Sequence, residues 1–206
     1  AGNSYACNGH AEIQSVYEQS VQRLQQAAQV VEAQLKRKIQ LSYGDTPTCS
    51  VCEDFSMVDE LRPGNFVFYD LMQQDIGACK YDDIAVSMNC PVVGIYPERG
   101  EVVIHGGAVH FSKESLYVNG SPVFGKLVEH GAAGWSPSTQ TQFIHNISQE
   151  HGLLEKCGSW MDEVNPGDSL YFLPVHSCLT ANLMRSYTTT RGQVIPTLNS
   201  TRLADL

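Results

Sequence analysis

From about residue 84 the chain reads as a succession of short runs: IAVSMNCPVVGIY, EVVIHGG, SLYVNG, VFGKLVEH, TQFIHNI, SLYFLPVH and YTTTRGQVIPTL. They are rich in Val, Ile, Tyr and Thr, and Gly, Pro and Asn cut them apart. β-Branched and aromatic side chains suit a pleated, half-buried surface, and the punctuating residues turn the chain back on itself. Runs this short and this regularly interrupted are too brief for helices. They predict an antiparallel β domain.

Upstream the pattern differs. Over residues 11–38, Ile13, Val16, Tyr17, Val21, Leu24, Ala28, Val31 and Leu35 recur at spacings of mostly three and four, with Gln, Glu and Arg between them. That period predicts one long amphipathic helix with its apolar stripe on a core. LKRK places cations where the helix dipole is negative, which suits its C-terminal end. Ile39 and Leu41 then predict a short strand, closed by the polar loop GDTPT. Phe66, Val67, Phe68 and Tyr69 predict a second strand after the turn Arg62-Pro63-Gly64-Asn65. Helix, strand, loop and strand in this order suggest the tail of an α/β layout. The expected organisation is therefore α+β and multidomain, with residues 1–83 forming the first part and residues 84–206 the β-rich part.

Composition narrows the function classes. The chain has 206 residues, 42% hydrophobic and 17% charged, enough for a real core. The formal net charge of −9 argues against a binder of nucleic-acid phosphates and against an anionic membrane surface. No run approaches the roughly 20 apolar residues that span a bilayer, and the start does not resemble a signal peptide. Seven cysteines, an odd number, in a chain too long to need disulfides point to a reducing, cytoplasmic setting.

Four short segments carry candidate chemistry. PVHSCLTA holds His176 and Cys178 one residue apart. If the strand SLYFLPV stays extended through Ser177, both side chains share a face and can reach one ion. Imidazole and thiolate suit zinc, and two protein ligands leave positions open for catalysis. An ordinary buried pair fits the same spacing. GDTPT (44–48) and RPGN (62–65) are small-residue loops after strands, able to offer N–H groups and hydroxyls to an anion or to serve as plain turns. SQEHG gathers Gln149, Glu150 and His151, either at a site or in an exposed turn. CSVC (Cys49 and Cys52) has the C-x-x-C spacing but no second half. His10, His105, His110, His130 and His145 are scattered and suggest no role.

Taken together and in order, GDTPT, ELRPGNFVFYD, SQEHG and PVHSCLTA resemble the D-serine dehydratase and D-threonine aldolase-like family, fold-type III pyridoxal-phosphate enzymes related to alanine racemase. The resemblance runs from AGNSY to the VIPTL strand. It implies the C-terminal part of a TIM-like β/α barrel carrying pyridoxal 5'-phosphate, followed by a zinc-binding β domain. The family's Schiff-base lysine lies near the start of the barrel. Lys36, Lys38, Lys80, Lys113, Lys126 and Lys156 do not match its segment, so that lysine is expected outside this sequence.

By the same resemblance, His176 and Cys178 bind zinc, and the backbone amides of Gly64 and Asn65 hold the cofactor phosphate. Thr46 and Tyr5 lie at the cofactor. Arg62 resembles the arginine that meets the pyridine nitrogen in alanine racemase, while Gln149, Glu150 and His151 line the site. The implied reaction removes the α-proton of a D-amino acid and expels its zinc-bound β-hydroxyl, taking D-serine to pyruvate and ammonia. D-Threonine aldol cleavage and dehydration of a 3-hydroxy-D-aspartate remain open alternatives. So does a non-catalytic fragment acting only as a folded binding domain. The family resemblance also implies a homodimer.

Overall fold

The computed structural model describes residues 3–131, 134–137, 142–155 and 162–197. Ala1 and Gly2 of AGNSY, together with Lys156 and Cys157, lie outside the described residues. The chain divides into two units, residues 1–84 and 85–206.

The first unit opens with a 3-10 turn, Asn3–Ala6, and then the long helix α1, His10–Leu35. Ile13, Tyr17, Val21 and Ala28 form its buried stripe, as the four- and seven-residue spacings require. The helix stops three residues earlier than expected. Lys36 takes the left-handed conformation (φ 55°) and returns its N–H to the carbonyl of Glu32. Val31 and Leu35, expected on the stripe, are exposed instead.

Strand β1 is Ser42–Tyr43, one step beyond the expected Ile39 and Leu41. Helix α2, Thr46–Val51, follows at once. Asp45 caps it by accepting the Thr48 N–H at 2.7 Å, and Pro47 sits in its first turn. GDTPT is thus a strand end and a helix start rather than an open loop.

The second strand differs from expectation altogether. Strand β2 is Glu60–Leu61, pairing parallel with β1 through Ser42↔Glu60 and Tyr43↔Leu61. Phe66 to Tyr69 form a turn, because the Asn65 carbonyl accepts from both Phe68 and Tyr69 (2.9 and 2.7 Å). Tyr69 sits at φ 49°, and Phe66 and Val67 are exposed. Helix α3, Leu71–Ile76, capped by Asp70, and a 3-10 turn at Tyr81–Asp83 complete the unit. Its described residues hold one parallel strand pair, not a closed β/α barrel.

The second unit is built on β3 (Met88–Tyr96), β4 (Glu101–His105), β7 (Gly125–Gly131), β9 (Phe143–Ile147), β10 (His151–Glu155) and β11 (Ser169–Pro174). Their antiparallel pairing runs β11-β3-β4-β10-β9-β7 and returns from β7 to β11, closing a six-stranded barrel. Strand β8 (Gly134–Pro137) extends from β7. Hairpins β5 (Leu116–Val118) with β6 (Ser121–Val123), and β12 (Ser186–Thr188) with β13 (Val194–Pro196), form separate two-stranded pairings, β6 lying against β9.

Inward positions alternate along the strands. Cys90, Val92, Val102, Ile104, Leu127, Ile144, Leu154 and Phe172 fill the core, joined by Phe111 from helix α4, Ala108–Phe111. Phe111 meets Phe172 edge to face, with centroids 6.3 Å apart. Each such large side chain contributes about 1.5–3 kcal/mol by leaving water. Helix α5, Ser177–Leu183, packs on α4, and its Thr180 hydroxyl donates to the Phe111 carbonyl. Among the described residues no helix is long and apolar enough to cross a membrane.

Candidate functional site

In the first unit, the pairing of β1 with β2 decides which side chains meet. Gly44 leaves β1 against the Arg62 carbonyl so closely that an added Cβ would lie 2.1 Å from that oxygen. Only glycine allows this approach, and it brings the start of α2 to the turn after β2. There the fully buried Thr46 Oγ1 accepts two consecutive backbone N–H groups, Gly64 at 3.0 Å and Asn65 at 2.8 Å. A Cβ on Gly64 would come within 3.2 Å of that hydroxyl and 4.0 Å of the Tyr5 hydroxyl. Tyr5, Thr46, Gly64 and Asn65 therefore converge, as residues 5, 46, 64 and 65 could not be seen to do from spacing.

Two successive N–H groups aimed at one oxygen are the donor pattern that anions also use; here both meet the Thr46 hydroxyl. The resemblance places a cofactor phosphate on these same amides, and the residues fit that group. Both donors point to the Thr46 hydroxyl oxygen, and the missing Cβ of Gly64 leaves room beside that oxygen and the Tyr5 hydroxyl. Arg62 is placed differently. Its exposed guanidinium donates to Ser42 Oγ at 2.6 Å and lies 3.7 Å from Glu60, so it is spent along the strand pair. Cys49 lies within α2 and Cys52 caps its end; both are free thiols, and burial pushes both pKa values up.

In the second unit, the strand expected to run through Ser177 ends at Pro174, and His176 is the N-cap of α5. The shared strand face proposed for His176 and Cys178 is therefore absent: the chain leaves extended geometry at Ser177 to begin a helix. The two donors instead flank the first residue of that helix. His176 Nδ1 is buried and has no hydrogen-bond partner, and Cys178 is exposed. A buried imidazole nitrogen without a partner, and a thiol two residues further along the chain, are donor types that zinc takes. No group of three His, Cys, Asp or Glu side chains poised for a metal occurs among the described residues.

SQEHG forms the exposed turn between β9 and β10, closed by Ser148 N–H donating to the His151 carbonyl at 2.8 Å. Carbonyls of Ser148 and Gln149 accept the first N–H groups of α4, from Ala108 and Val109. This turn gathers histidines to which the sequence alone assigned no role. His151 stands directly opposite His105 on β4, their rings 6.1 Å apart, and His110 meets His105 edge to face at 4.7 Å. The signal was the position of two histidines at abutting strand ends, legible only with the β4–β10 pairing in hand.

His110 Nδ1 accepts the Gly107 N–H at 3.2 Å, which fixes the neutral tautomer. Burial lowers its pKa most, His105 and His151 lower it further, and Glu150 pulls it back. A histidine with a depressed folded pKa favours folding while both states are neutral. That contribution is lost as pH falls below the ordinary value of about 6.5. Thermal melts of His110→Gln should accordingly show a shallower loss of stability than the parent as pH falls below about 6.5. Identical slopes would remove His110 from the acid response.

Comparison with known proteins gives the lineage. Residues 85–190, just over half of the chain, match the family described as "Putative serine dehydratase domain". D-Serine dehydratase of Saccharomyces cerevisiae is 28% identical over 200 residues, covering 87% of this chain and 46% of that protein. D-threo-3-Hydroxyaspartate dehydratase of Delftia sp. is 27% identical over 193 residues, covering 91% of this chain and 50% of that one. Its solved structure superposes with a TM-score of 0.80 at 24% identity, covering 95% and 53% of the two chains. A variant of that enzyme with a cysteine replaced by alanine, solved in the metal-free form, also gives 0.80.

An alanine racemase-like protein of Idiomarina loihiensis superposes at 0.74 with 25% identity, covering 94% and 52%. The chain spans about half the length of the curated relatives it matches. With its barrel unit matched almost end to end, the chain belongs to the serine dehydratase domain family.

Proposed function

We propose that this chain is part of a pyridoxal-phosphate- and zinc-dependent D-amino-acid dehydratase whose substrate is D-serine. The observation that carries the reading is the convergence of the Gly64 and Asn65 amides on Thr46, beside Tyr5. When bound, pyridoxal phosphate supplies an electron sink for the substrate α-carbon, and zinc supplies a Lewis acid for its β-hydroxyl.

The chain's own residues do the holding. The N–H groups of Gly64 and Asn65, with the Thr46 hydroxyl they meet, would hold the cofactor phosphate. Tyr5 walls the same space. His176 and Cys178 would hold the metal. Gln149, Glu150 and His151 stand exposed in the turn between β9 and β10 of the β unit. The Delftia relative favours one second reading: a 3-hydroxyaspartate substrate, whose extra carboxylate would leave oxaloacetate in place of pyruvate.

The test is product analysis with the protein that carries this chain. D-Serine should give pyruvate and ammonia in equal amounts. His176→Ala or Cys178→Ala should lose bound zinc and slow turnover by roughly a hundredfold or more, as the loss of several kcal/mol of charge stabilisation implies. Glycine and acetaldehyde from D-threonine, with no pyruvate from D-serine, would overturn the dehydratase. Full rate without zinc would overturn the metal pair.

A further inference from the structure

The Gly64–Asn65 turn follows a strand of two residues and is itself partly exposed. Beyond the Thr46 hydroxyl that both N–H groups meet, something must keep the turn in place, since a nest with loose donors pays an ordering cost each time it binds. The side chain of Asn65 shows what does so. Its Nδ2 donates to Asp70 Oδ2 at 2.6 Å, and Asp70 Oδ1 accepts the Gln73 N–H at 2.9 Å. Both Asn65 and Asp70 are buried, 2% and 1% exposed. One carboxylate thus ties the turn to the first turn of α3.

A second set of bonds closes a ring through the same residue. The Asn65 carbonyl accepts from Tyr69, held at φ 49°, and the Tyr69 hydroxyl lies 3.0 Å from Ser50 Oγ. Ser50 Oγ donates to the Thr46 carbonyl at 2.7 Å, and Thr46 Oγ1 accepts the Asn65 N–H. A bulky residue in the left-handed region is strained, and it persists only where its surroundings fix it.

We propose that Asp70 is a positioning residue for the anion nest: by gripping the Asn65 carboxamide it presets the Gly64 and Asn65 amides for a phosphate. The inference rests on the cofactor-phosphate reading for its use, but the preorganisation is measurable without any ligand. Asp70 touches neither cofactor nor substrate in this account. Its effect passes through Asn65.

Asp70→Ser separates the two jobs of the carboxylate. Serine caps helices well, so α3 keeps its cap, but its side chain is too short to reach Asn65. Amide exchange by NMR should rise about tenfold or more at Gly64 and Asn65 while α3 amides stay near the parent's, and the melting temperature should fall because the buried Asn65 carboxamide loses its bond to Asp70. The affinity for inorganic phosphate should fall by about the same factor.

Asn65→Ala cuts the same bond from the other side with the α3 cap untouched, and should reproduce both effects. It also decides the matter if the serine variant fails to fold. In the Asn65→Ala background, adding Asp70→Ser should change phosphate affinity no further. Parent-like exchange and phosphate binding in Asn65→Ala would overturn the proposal, as would additive losses in the double variant. Raised exchange in both variants, in a parent that binds no phosphate, would keep the positioning role and sink the cofactor-phosphate reading.

Discussion

Gly44→Ala is expected to dismantle the nest and much of the first unit with it. The new Cβ would lie 2.1 Å from the Arg62 carbonyl oxygen and 2.7 Å from its carbon, both backbone atoms. No side-chain rotation relieves such a contact, so strand β1 must part from β2. Those strands meet over two residue pairs, with backbone bonds from Arg62 N–H to the Tyr43 carbonyl and from Asp59 and Glu60 N–H to the Leu41 carbonyl. Separating them carries Gly64 and Asn65 away from Thr46. Overpacking against backbone at this site should cost about 3 kcal/mol or more. Denaturant melts should show the first unit unfolding early, with phosphate binding gone and the β barrel's near-UV signal retained. A parent-like melt would mean that the Gly44–Arg62 approach does not hold the site together.

Thr46→Val should produce the second largest effect. Valine keeps the shape but removes the acceptor for two N–H groups. The Asn65 amide is buried and the Gly64 amide partly so. Leaving donors in such places unpaired costs about 1–3 kcal/mol each, so a loss of about 2–4 kcal/mol is expected from urea melts. Added inorganic phosphate should recover part of that loss, because an anion can serve the vacated donors. A loss below about 0.5 kcal/mol would show that solvent serves them equally well.

These two glycine- and hydroxyl-dependent contacts also mark where the sequence stops being readable. The β unit was legible because its signal is local: alternation in EVVIH puts Val102 and Ile104 inward whatever the strand pairs with. The apolar stripe of α1 was legible for the same reason, up to Val31 and Leu35, which periodicity places on the stripe and the structure leaves exposed.

The run Phe66–Tyr69 misled because four apolar residues resemble a buried strand, whereas the hydrogen bonds of Asn65 fold them into a turn. Likewise the step from Pro174 to Ser177 converts an extended H-x-C into a helix start. Nothing within PVHSC announces the change, since His176 caps without a side-chain bond. The meeting of Thr46 with Gly64 and Asn65, and of His105 with His151, depends on strand pairing across 18 or more residues. Only the pairing of β1 with β2 and of β4 with β10 reveals them.

A dehydratase of the proposed kind requires the first unit to seat a cofactor phosphate. Equilibrium titration of the chain with pyridoxamine 5'-phosphate and with pyridoxamine tests it directly, because neither amine can form an imine with a lysine. The phosphorylated ligand should bind at least about tenfold more tightly to the parent, the factor given by 1.4 kcal/mol of phosphate contact. Thr46→Val should change the affinity of the phosphorylated ligand and leave that of pyridoxamine as it was. Equal affinities for the two ligands in the parent chain would contradict the account.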